Sequence, residues 1–191
     1  MDDLDELITK IQEWADARNL IRGSDPISQF AKLISEAGET ANAIIEGNNP
    51  EVIDGIGDMF VVIVIISTMV GSDIAAIAAS SVNGVYPSPA YRQRECLRLV
   101  AYLGKMGDYI LKKNIEMFES CVQSALRCMR TMALASNMRL SQCAAAAYNE
   151  IKDRKGVMFN GAFIKSTDAN YASALAALGM ADGTSAGESN G

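Results

Sequence analysis

The chain has 191 residues, which could make one domain of ordinary size or two very small ones. Hydrophobic residues make up 49% of it and charged residues 21%, so it is apolar enough to bury a globular core. Its net charge of −6 argues against binding to a nucleic-acid backbone. It contains no histidine, which excludes histidine-activated nucleophiles and histidine metal ligands.

The cysteines and the apolar runs indicate where the protein works. Cys96, Cys121, Cys128 and Cys143 show no Cys-x-x-Cys spacing. With no signal peptide, they are expected to be reduced core residues of a cytoplasmic protein. The apolar run after Asp58 covers about a dozen residues, which is too short to span a bilayer. We therefore expect no membrane partner.

The first two predicted helices are amphipathic. Residues 3–19 place apolar side chains at helical spacing. The segment from Gly23 to Pro26 then interrupts the pattern, with Asp25 as a candidate N-cap and Pro26 suited to the first helical position. The second helix is predicted to run to about Glu46.

The third predicted element begins near Pro50 and runs to about Val70. Its segment Phe60–Ile66, FVVIVII, is rich in β-branched residues and would also suit a buried strand. Its length, the glycine at position 71 and the helical spacing of its acidic residues favour a helix buried on most sides. A short helix at 72–81 and a loop at 83–90 are expected to follow.

Residues 32–66 carry acidic side chains in an apolar background. Glu36 and Glu39 lie about 60° apart on a helix, and Asp54 and Asp58 about 40° apart on the next. Two helices folded back on each other would bring both pairs into one cleft. Burying so many like charges costs several kcal/mol per ion unless a cation lies between them. Oxygen-only ligands suit Mg²⁺, or alternatively Mn²⁺.

The run Q-F-A-K-L-x-x-E-x-G-E from residue 29 and the later I-G-D resemble the MazG-like nucleoside triphosphate pyrophosphohydrolases. The resemblance implies an all-α, antiparallel helical bundle and a homodimer. It implies cleavage of nucleoside triphosphates into monophosphate and pyrophosphate with Mg²⁺ held by an E-x-x-E … E-x-x-D set. Glu36 and Glu39 match the first half of that set, and Asp58 matches its last aspartate.

Two positions depart from the family pattern. Ser35 stands where a glutamate is common, and Gly55 occupies the usual second-half glutamate position. Asp54, one residue earlier, is the expected replacement as a metal ligand. These departures leave the number of bound metal ions open.

The second half of the chain resembles the first when residue numbers are shifted by 66. The predicted catalytic hairpin, 32–85, then aligns without a gap with residues 98–151. One interpretation is an ancestral duplication that makes the chain a pseudo-dimer with a degenerate second repeat; the other is that any two alanine-rich hairpins align this well. The acids do not recur. The identical residues are Leu33, Gly38, Ile44, Asn48, Ala78, Ala79 and Asn83, which align with Leu99, Gly104, Ile110, Asn114, Ala144, Ala145 and Asn149.

A last helix of the bundle is predicted at 139–155. The run AYNEIKDRKG followed by N-G-x-F-x-K at 160–165 is a second resemblance to phage-type MazG-like proteins. We accordingly place one domain at 1–165. Residues 166–191 are expected to be a flexible tail in which 171–178 suits a short helix.

Several polar side chains are candidates for binding the nucleotide. Lys32 lies one turn before Glu36 and could reach a phosphate, and Gln29 could contact a base edge. Trp14 suits either the core or a stacked base. The remaining candidates, which would contact phosphate or sugar, are Asn149, Lys152, Arg154 and Lys155.

For these residues the resemblance implies hydrolysis between the α and β phosphates of a nucleoside triphosphate. Glu36 or Glu39 would be the catalytic carboxylate that orients or deprotonates water. A rival prediction is a nucleotide or metal sensor that has lost turnover, and a third is a purely structural bundle. The base and the sugar are left open.

Overall fold

The computed structural model describes residues 4–81 and 91–180, which are mostly helical, as predicted. The predicted loop at 83–90 and the end of the tail, 181–191, lie outside the described residues. The elements are α1 (Leu4–Ala17), α2 (Leu20–Gly23), α3 (Pro26–Glu46), α4 (Asn49–Val70), α5 (Ile74–Ser80), α6 (Tyr91–Leu111), α7 (Ile115–Ala135), α8 (Leu140–Ile151), β1 (Gly156–Phe159), β2 (Ala162–Lys165) and α9 (Tyr171–Leu178).

Helix α4 lies at the centre of the fold. It contacts α1, α2, α3, α5, α7 and α8, and every residue from Met59 to Ser67 is buried. The β-branched run is therefore helical, because a helix enclosed on all sides needs no polar face. Gly71 ends α4 in the left-handed region at φ 78°, as predicted.

The length of α4 corrects one step of the sequence argument. Its 22 residues make it long and apolar enough to cross a membrane, so the argument from a short run was wrong. However, 72% of its most apolar window is buried inside the protein. The core accounts for the composition of α4, and the expected lack of a membrane partner stays a prediction.

The start of α3 follows the predicted capping chemistry. The Asp25 carboxylate accepts hydrogen bonds from the backbone N–H groups of Ile27 and Ser28, and Pro26 occupies the first turn. The one-turn helix α2 was not predicted. It begins after Asn19, whose backbone is left-handed (φ 56°) and separates α1 from α2.

The C-terminal region differs most from expectation. The last bundle helix ends at Ile151 rather than 155, and a two-stranded antiparallel hairpin follows it. Asn160 and Gly161 form its two-residue turn, both with positive φ, which matches the right-handed twist of the strands. The fold is thus mostly but not purely helical.

The expectation of a flexible tail from residue 166 needs correction as far as residue 180. The helix at 171–178 is confirmed as α9, and it packs on β1. Its Ala174 and Leu175 are buried with Val157 of the hairpin in a small second core. Ala174 and Leu175 give α9 a buried apolar face, which the overall composition of residues 166–191 did not indicate.

The two halves share their helix boundaries under the shift of 66 residues. Helices α3 and α4, moved by 66, coincide with α6 and α7 to within one residue at each end, and the start of α5 coincides with that of α8. Asn48 and Asn114 cap α4 and α7 alike, each accepting a hydrogen bond from the backbone N–H three residues on. Such agreement is expected from a duplication, which remains a hypothesis.

Candidate functional site

Helices α3 and α4 approach closely at Gly55. A Cβ atom added there would lie 2.2 Å from Thr40 Oγ1, so no side chain fits between the two helices at this point. The position that holds a glutamate in the MazG-like pattern is therefore a helix contact in this protein. Asp54, one residue earlier, is half-buried outside the contact and can serve the cluster instead.

Four predicted carboxylates come together beside this contact. Glu36 is buried, Asp54 and Asp58 are half-buried, and Glu39 is exposed. Burial, followed by repulsion from Glu36 and Asp54, raises the pKa of Asp58 to about 6. Burial also raises the pKa of Asp54, with added repulsion from Glu150, Glu36 and Glu39. The carboxylates therefore share one region of negative potential, which Lys32 and Arg154 offset only in part.

Two of these carboxylates already have partners on their own helix. Lys32 Nζ forms an ion pair with Glu36 Oε1 at 2.5 Å, one turn along α3. Ser35 Oγ donates a hydrogen bond to Glu39 Oε1 at 3.2 Å. Lys32 thus lies where the cluster needs positive charge, and it also lowers the pKa of Asp58 against the effect of burial.

The donor set, although not its present arrangement, suits a hard divalent cation. All four side chains offer carboxylate oxygens, the donors that Mg²⁺ and Mn²⁺ prefer. Within residues 4–81 and 91–180, no three His, Cys, Asp or Glu side chains are arranged so that they could hold a metal ion together. Binding would require Glu36 to exchange Lys32 for the cation and the other carboxylates to turn toward it.

A cavity of about 260 Å³ adjoins the acidic cluster. Its floor is apolar and comes mainly from α4, through Val61, Val62 and Ile65. The polar lining contains five residues predicted from the sequence, which arrive from α1, α3, α4 and the segment after α8. They are Trp14, Gln29, Lys32, Asp58 and Arg154.

Trp14 and Arg18 join α1 to the end of α8. The indole Nε1 of Trp14 donates to the Ile151 carbonyl at 2.9 Å. The Arg18 guanidinium lies 4.8 Å from the Trp14 ring centroid and donates to the carbonyls of Lys152 (3.0 Å) and Arg154 (2.8 Å). Arg18 thereby fixes the backbone of the segment that brings Arg154 to the cavity.

The β-hairpin forms a further wall of the cavity. Met158 and Phe163 line it from β1 and β2. Asn19 Nδ2 donates to the Met158 carbonyl at 2.9 Å, and the Met158 N–H donates to the Arg18 carbonyl at 2.8 Å. The N-G-x-F-x-K segment singled out from the sequence thus supplies a tight turn and an aromatic wall.

Helix α8 reaches the cluster because α4 carries a second close contact, at Gly57. A Cβ atom there would lie 2.4 Å from the Cys143 carbonyl oxygen. This contact brings Glu150 close enough to raise the pKa of both Asp54 and Asp58. Glu150 is therefore a fifth carboxylate facing the cluster.

Three predicted nucleotide contacts are not brought into the cavity. Asn149, Lys152 and Lys155 are exposed and lie outside its lining. Since α8 ends at Ile151, Lys152 and Lys155 belong to the turn that leads into β1 rather than to a helix. Of the basic residues predicted after α8, Arg154 is the one that reaches the cavity.

Sequence reasoning missed Arg18 and Glu150. Arg18 follows Trp14 by one helical turn, a spacing that favours contact between the two side chains. Glu150 is next to Asn149 in a segment already considered, but its direction depends on the close packing at Gly57. Of the two, only Arg18 could have been predicted from its spacing along the sequence.

Comparisons with known proteins give a relative and no family. Over 68 residues, 35% of this chain, the sequence is 48% identical to an uncharacterised 18.2 kDa protein in the rep–hol intergenic region of Haemophilus phage HP1 (strain HP1c1). The matched stretch covers 41% of that relative. No family model and no solved structure matches the chain.

Proposed function

We propose that this protein is a Mg²⁺-dependent nucleoside triphosphate pyrophosphohydrolase that converts a (d)NTP and water into a (d)NMP and pyrophosphate, with Mn²⁺ as a substitute. The proposal rests on one observation: the carboxylates of α3 and α4 converge beside a cavity that also holds Lys32, Arg154 and an apolar floor. Such a combination offers acidic groups for a cation, basic groups for phosphates and apolar surface for a base.

Each side chain has a role in this reaction. Glu36, Glu39, Asp54 and Asp58 would hold the cation, which supplies positive charge to the phosphate oxygens. Lys32, released from Glu36 by the cation, would turn to the phosphates together with Arg154. The apolar floor and Trp14 would receive the base, and Gln29 would contact its edge.

The bond changes involve a single displacement. Glu36 or Glu39 accepts a proton from water as the water oxygen bonds to the α-phosphorus. The bond from the α-phosphorus to the bridging oxygen breaks, and pyrophosphate leaves with the electron pair. Lys32 and Arg154 offset the negative charge that develops on pyrophosphate. No covalent intermediate is needed.

Incubation with a panel of nucleotides and Mg²⁺, followed by anion-exchange separation, tests the proposal. We expect equal amounts of monophosphate and pyrophosphate from at least one triphosphate. Glu39→Gln should abolish product release, whereas Glu51→Gln, an exposed carboxylate at the start of α4, should not. An active Glu39→Gln protein with normal melting temperature would contradict the assignment.

A second candidate is a nucleotide or metal sensor without turnover. The ion pair between Lys32 and Glu36, together with the absence of a side chain at Gly55, favours it, since both reduce the carboxylates available for a cation. Calorimetry that detects nucleotide binding under conditions where no product forms would select the sensor. If neither nucleotide nor Mg²⁺ binds or raises the melting temperature, both candidates fail.

A further inference from the structure

A second cavity, of about 470 Å³, lies at one end of the helical bundle. It is enclosed by the first turn of α3, the last residue of α4 and the turn that joins α6 to α7. Ile27 of α3 lines it, whereas Gln29, two residues on and about 160° around the helix, lines the cavity of the candidate site. The two cavities therefore lie on opposite sides of α3, and the candidate site does not account for this end cavity.

The lining of the end cavity is mainly apolar. Phe118, buried to 1% exposure, lies at its base, and Leu111 and Ile115, exposed by 71% and 46%, lie at its mouth. The polar members of its described lining are Tyr109, Lys113 and Asn114. Pockets for small molecules have volumes of roughly 300–1,000 Å³ and combine apolar walls with a few polar groups. The end cavity has both properties.

The corresponding end of the other hairpin is bridged by polar side chains. Under the shift of 66 residues, three lining residues have polar counterparts there: Pro26, Ile115 and Val70 correspond to Arg92, Asn49 and Ser136. Arg92 Nη1 donates to Asn49 Oδ1 at 2.7 Å, and Asn49 Nδ2 donates to the Ser136 carbonyl at 3.5 Å. The end cavity lies where proline, isoleucine and valine side chains cannot form such a bridge.

Lys113 is the charged residue among the described residues that line the end cavity. It lies in the left-handed region at φ 53°, in the turn between α6 and α7. Its counterpart is Gly47 (φ 71°), and the backbone N–H groups of both donate to the carbonyl three residues earlier. A lysine is strained in this conformation and a glycine is not. The second hairpin thus keeps a cation at the mouth of the cavity despite a strain that the first hairpin avoids.

Acidic residues near this end have partners or point away from the cavity. Asp108 forms an ion pair with Lys112 at 2.7 Å, and both are exposed. The Asp25 carboxylate accepts hydrogen bonds from backbone N–H groups at the start of α3. Glu116 is exposed and lies about 100° around α7 from Ile115, which lines the cavity. These acids therefore do not neutralise the lysine at the mouth.

We propose that the end cavity binds a free small molecule with an apolar body and one carboxylate head group. The apolar body fills the space between Phe118 and Val70, and the carboxylate pairs with the Lys113 ammonium group at the mouth. Tyr109, which also lines the cavity, offers a hydroxyl donor to the ligand. The proposal does not depend on the proposed function.

Isothermal titration calorimetry with octanoate, octanol and octylammonium tests the proposal, because these probes share one chain and differ in head-group charge. We expect one octanoate to bind per chain, octanol to bind about tenfold more weakly, and octylammonium not to bind. Naphthoate serves as a bulkier carboxylate. Failure of both carboxylates to bind, or equal binding of octanoate and octylammonium, overturns the proposal.

Lys113→Gly separates the role of the charge from that of the fold. Because glycine suits the left-handed backbone, this variant should keep or raise the melting temperature. It should weaken octanoate binding about tenfold and leave octanol binding unchanged. The matched control is Lys112→Gln, at an exposed lysine outside the described lining, which should bind octanoate as the wild type does. Unchanged octanoate affinity in Lys113→Gly contradicts the head-group contact.

A pair of tryptophan substitutions locates the binding. Ile115→Trp places a larger side chain at the mouth and should abolish binding of octanoate and octanol, whereas Leu97→Trp, at an exposed leucine of α6 outside the described lining, should change neither. Circular dichroism checks that each variant is folded. Octanoate binding that survives Ile115→Trp, or that Leu97→Trp removes, overturns the proposal. Sedimentation of the protein with anionic lipid vesicles, blocked by Ile115→Trp, would instead assign the cavity to a membrane lipid and overturn the assignment to a free ligand.

Discussion

The α3–α4 and α6–α7 hairpins have matching helix boundaries and N-caps. They differ in how the charges of their acidic side chains are neutralised. Glu36, Glu39, Asp54 and Asp58 correspond, 66 residues on, to uncharged or basic residues. The counterparts are Tyr102, Lys105, Ser120 and Ser124. Helix length, capping and packing are therefore independent of the acids, which can be kept in one hairpin and lost in the other.

The second hairpin also contains a buried acidic side chain whose charge is neutralised by a neighbouring arginine. Gln29 and Lys32 correspond to Glu95 and Arg98, and Glu95 is buried at 7% exposure with Arg98 Nη1 at 3.0 Å. Burial and then Glu95 raise the pKa of the neighbouring Cys128 thiol to about 12, which keeps the thiol protonated. In the first hairpin, one lysine faces several carboxylates. The contrast associates the proposed function with that excess of negative charge.

Substitutions at two corresponding positions, Glu36 of α3 and Tyr102 of α6, should give the largest difference, which is measured as turnover. Glu36→Gln removes a carboxylate from the cluster and should lower turnover by about 100-fold or more. Tyr102→Phe, at the corresponding position of α6, should leave turnover within about twofold. Initial rates of pyrophosphate release measure both. Equal losses of turnover in the two variants would show that the position on the hairpin matters rather than the charge of the carboxylate.

The close contacts of α4 offer the next largest effect. Gly57→Ala places a Cβ 2.4 Å from the Cys143 carbonyl oxygen and should cost about 1–3 kcal/mol of stability, because a backbone atom must move. The corresponding Gln123 of α7 donates to Ser80 Oγ at an exposed site, so Gln123→Ala should cost less than about 1 kcal/mol. Urea unfolding monitors both variants.

Arg18 belongs to the first half of the comparison, since α1 and the turn that follows it add Trp14 and Arg18 to the α3–α4 hairpin. Arg18→Gln frees the segment that carries Arg154 and should raise KM about tenfold with a smaller change in kcat. Arg18→Lys should recover part of the loss, because an ammonium group reaches fewer of the carbonyls. A fall in kcat with KM unchanged would contradict a positioning role.

The pH dependence of stability gives the smallest effect. Because the pKa of Asp58 is raised to about 6 in the folded state, folding favours its protonated form. Stability should therefore fall as pH rises from 4 to 6, by on the order of 1 kcal/mol after solvent screening, or roughly 2–4 °C. Asp58→Asn should make the melting temperature less dependent on pH between 4 and 6. Added Mg²⁺ should make the melting temperature of the wild type rise with pH over the same range. Ser124→Asp, at the corresponding position of α7, tests whether the second hairpin acquires the same dependence.

The bundle could be predicted from the sequence because its signals are local. Asp25, Pro26 and Gly71 mark helix ends through backbone chemistry that needs no distant partner. The length of α4 and the spacing of its acids predicted a helix even though β-branched residues fill it. Burial and freedom from disulfides were likewise correct for the four cysteines.

The details of the candidate site depend on packing between distant segments. Arg154 reaches the cavity because Arg18, 136 residues earlier, holds its backbone. The hairpin forms a wall there because Met158 of β1 is hydrogen-bonded to Arg18 and Asn19. The exclusion of a side chain at Gly55 is set by Thr40 across the helix pair. Spacing along each helix predicted that the carboxylates would cluster. It could not predict which basic side chains would lie beside them.

The central position of α4 has a consequence for the growing chain on the ribosome. Its run from Phe60 to Ile66 combines β-branching, hydrophobicity and no charge, which is typical of aggregation-prone segments. Helix α8, which covers one side of α4, emerges about 80 residues later, roughly 4–16 s at usual rates of synthesis. During that interval the most adhesive segment lacks its final cover, so chains that end before residue 151 should precipitate or recruit chaperones.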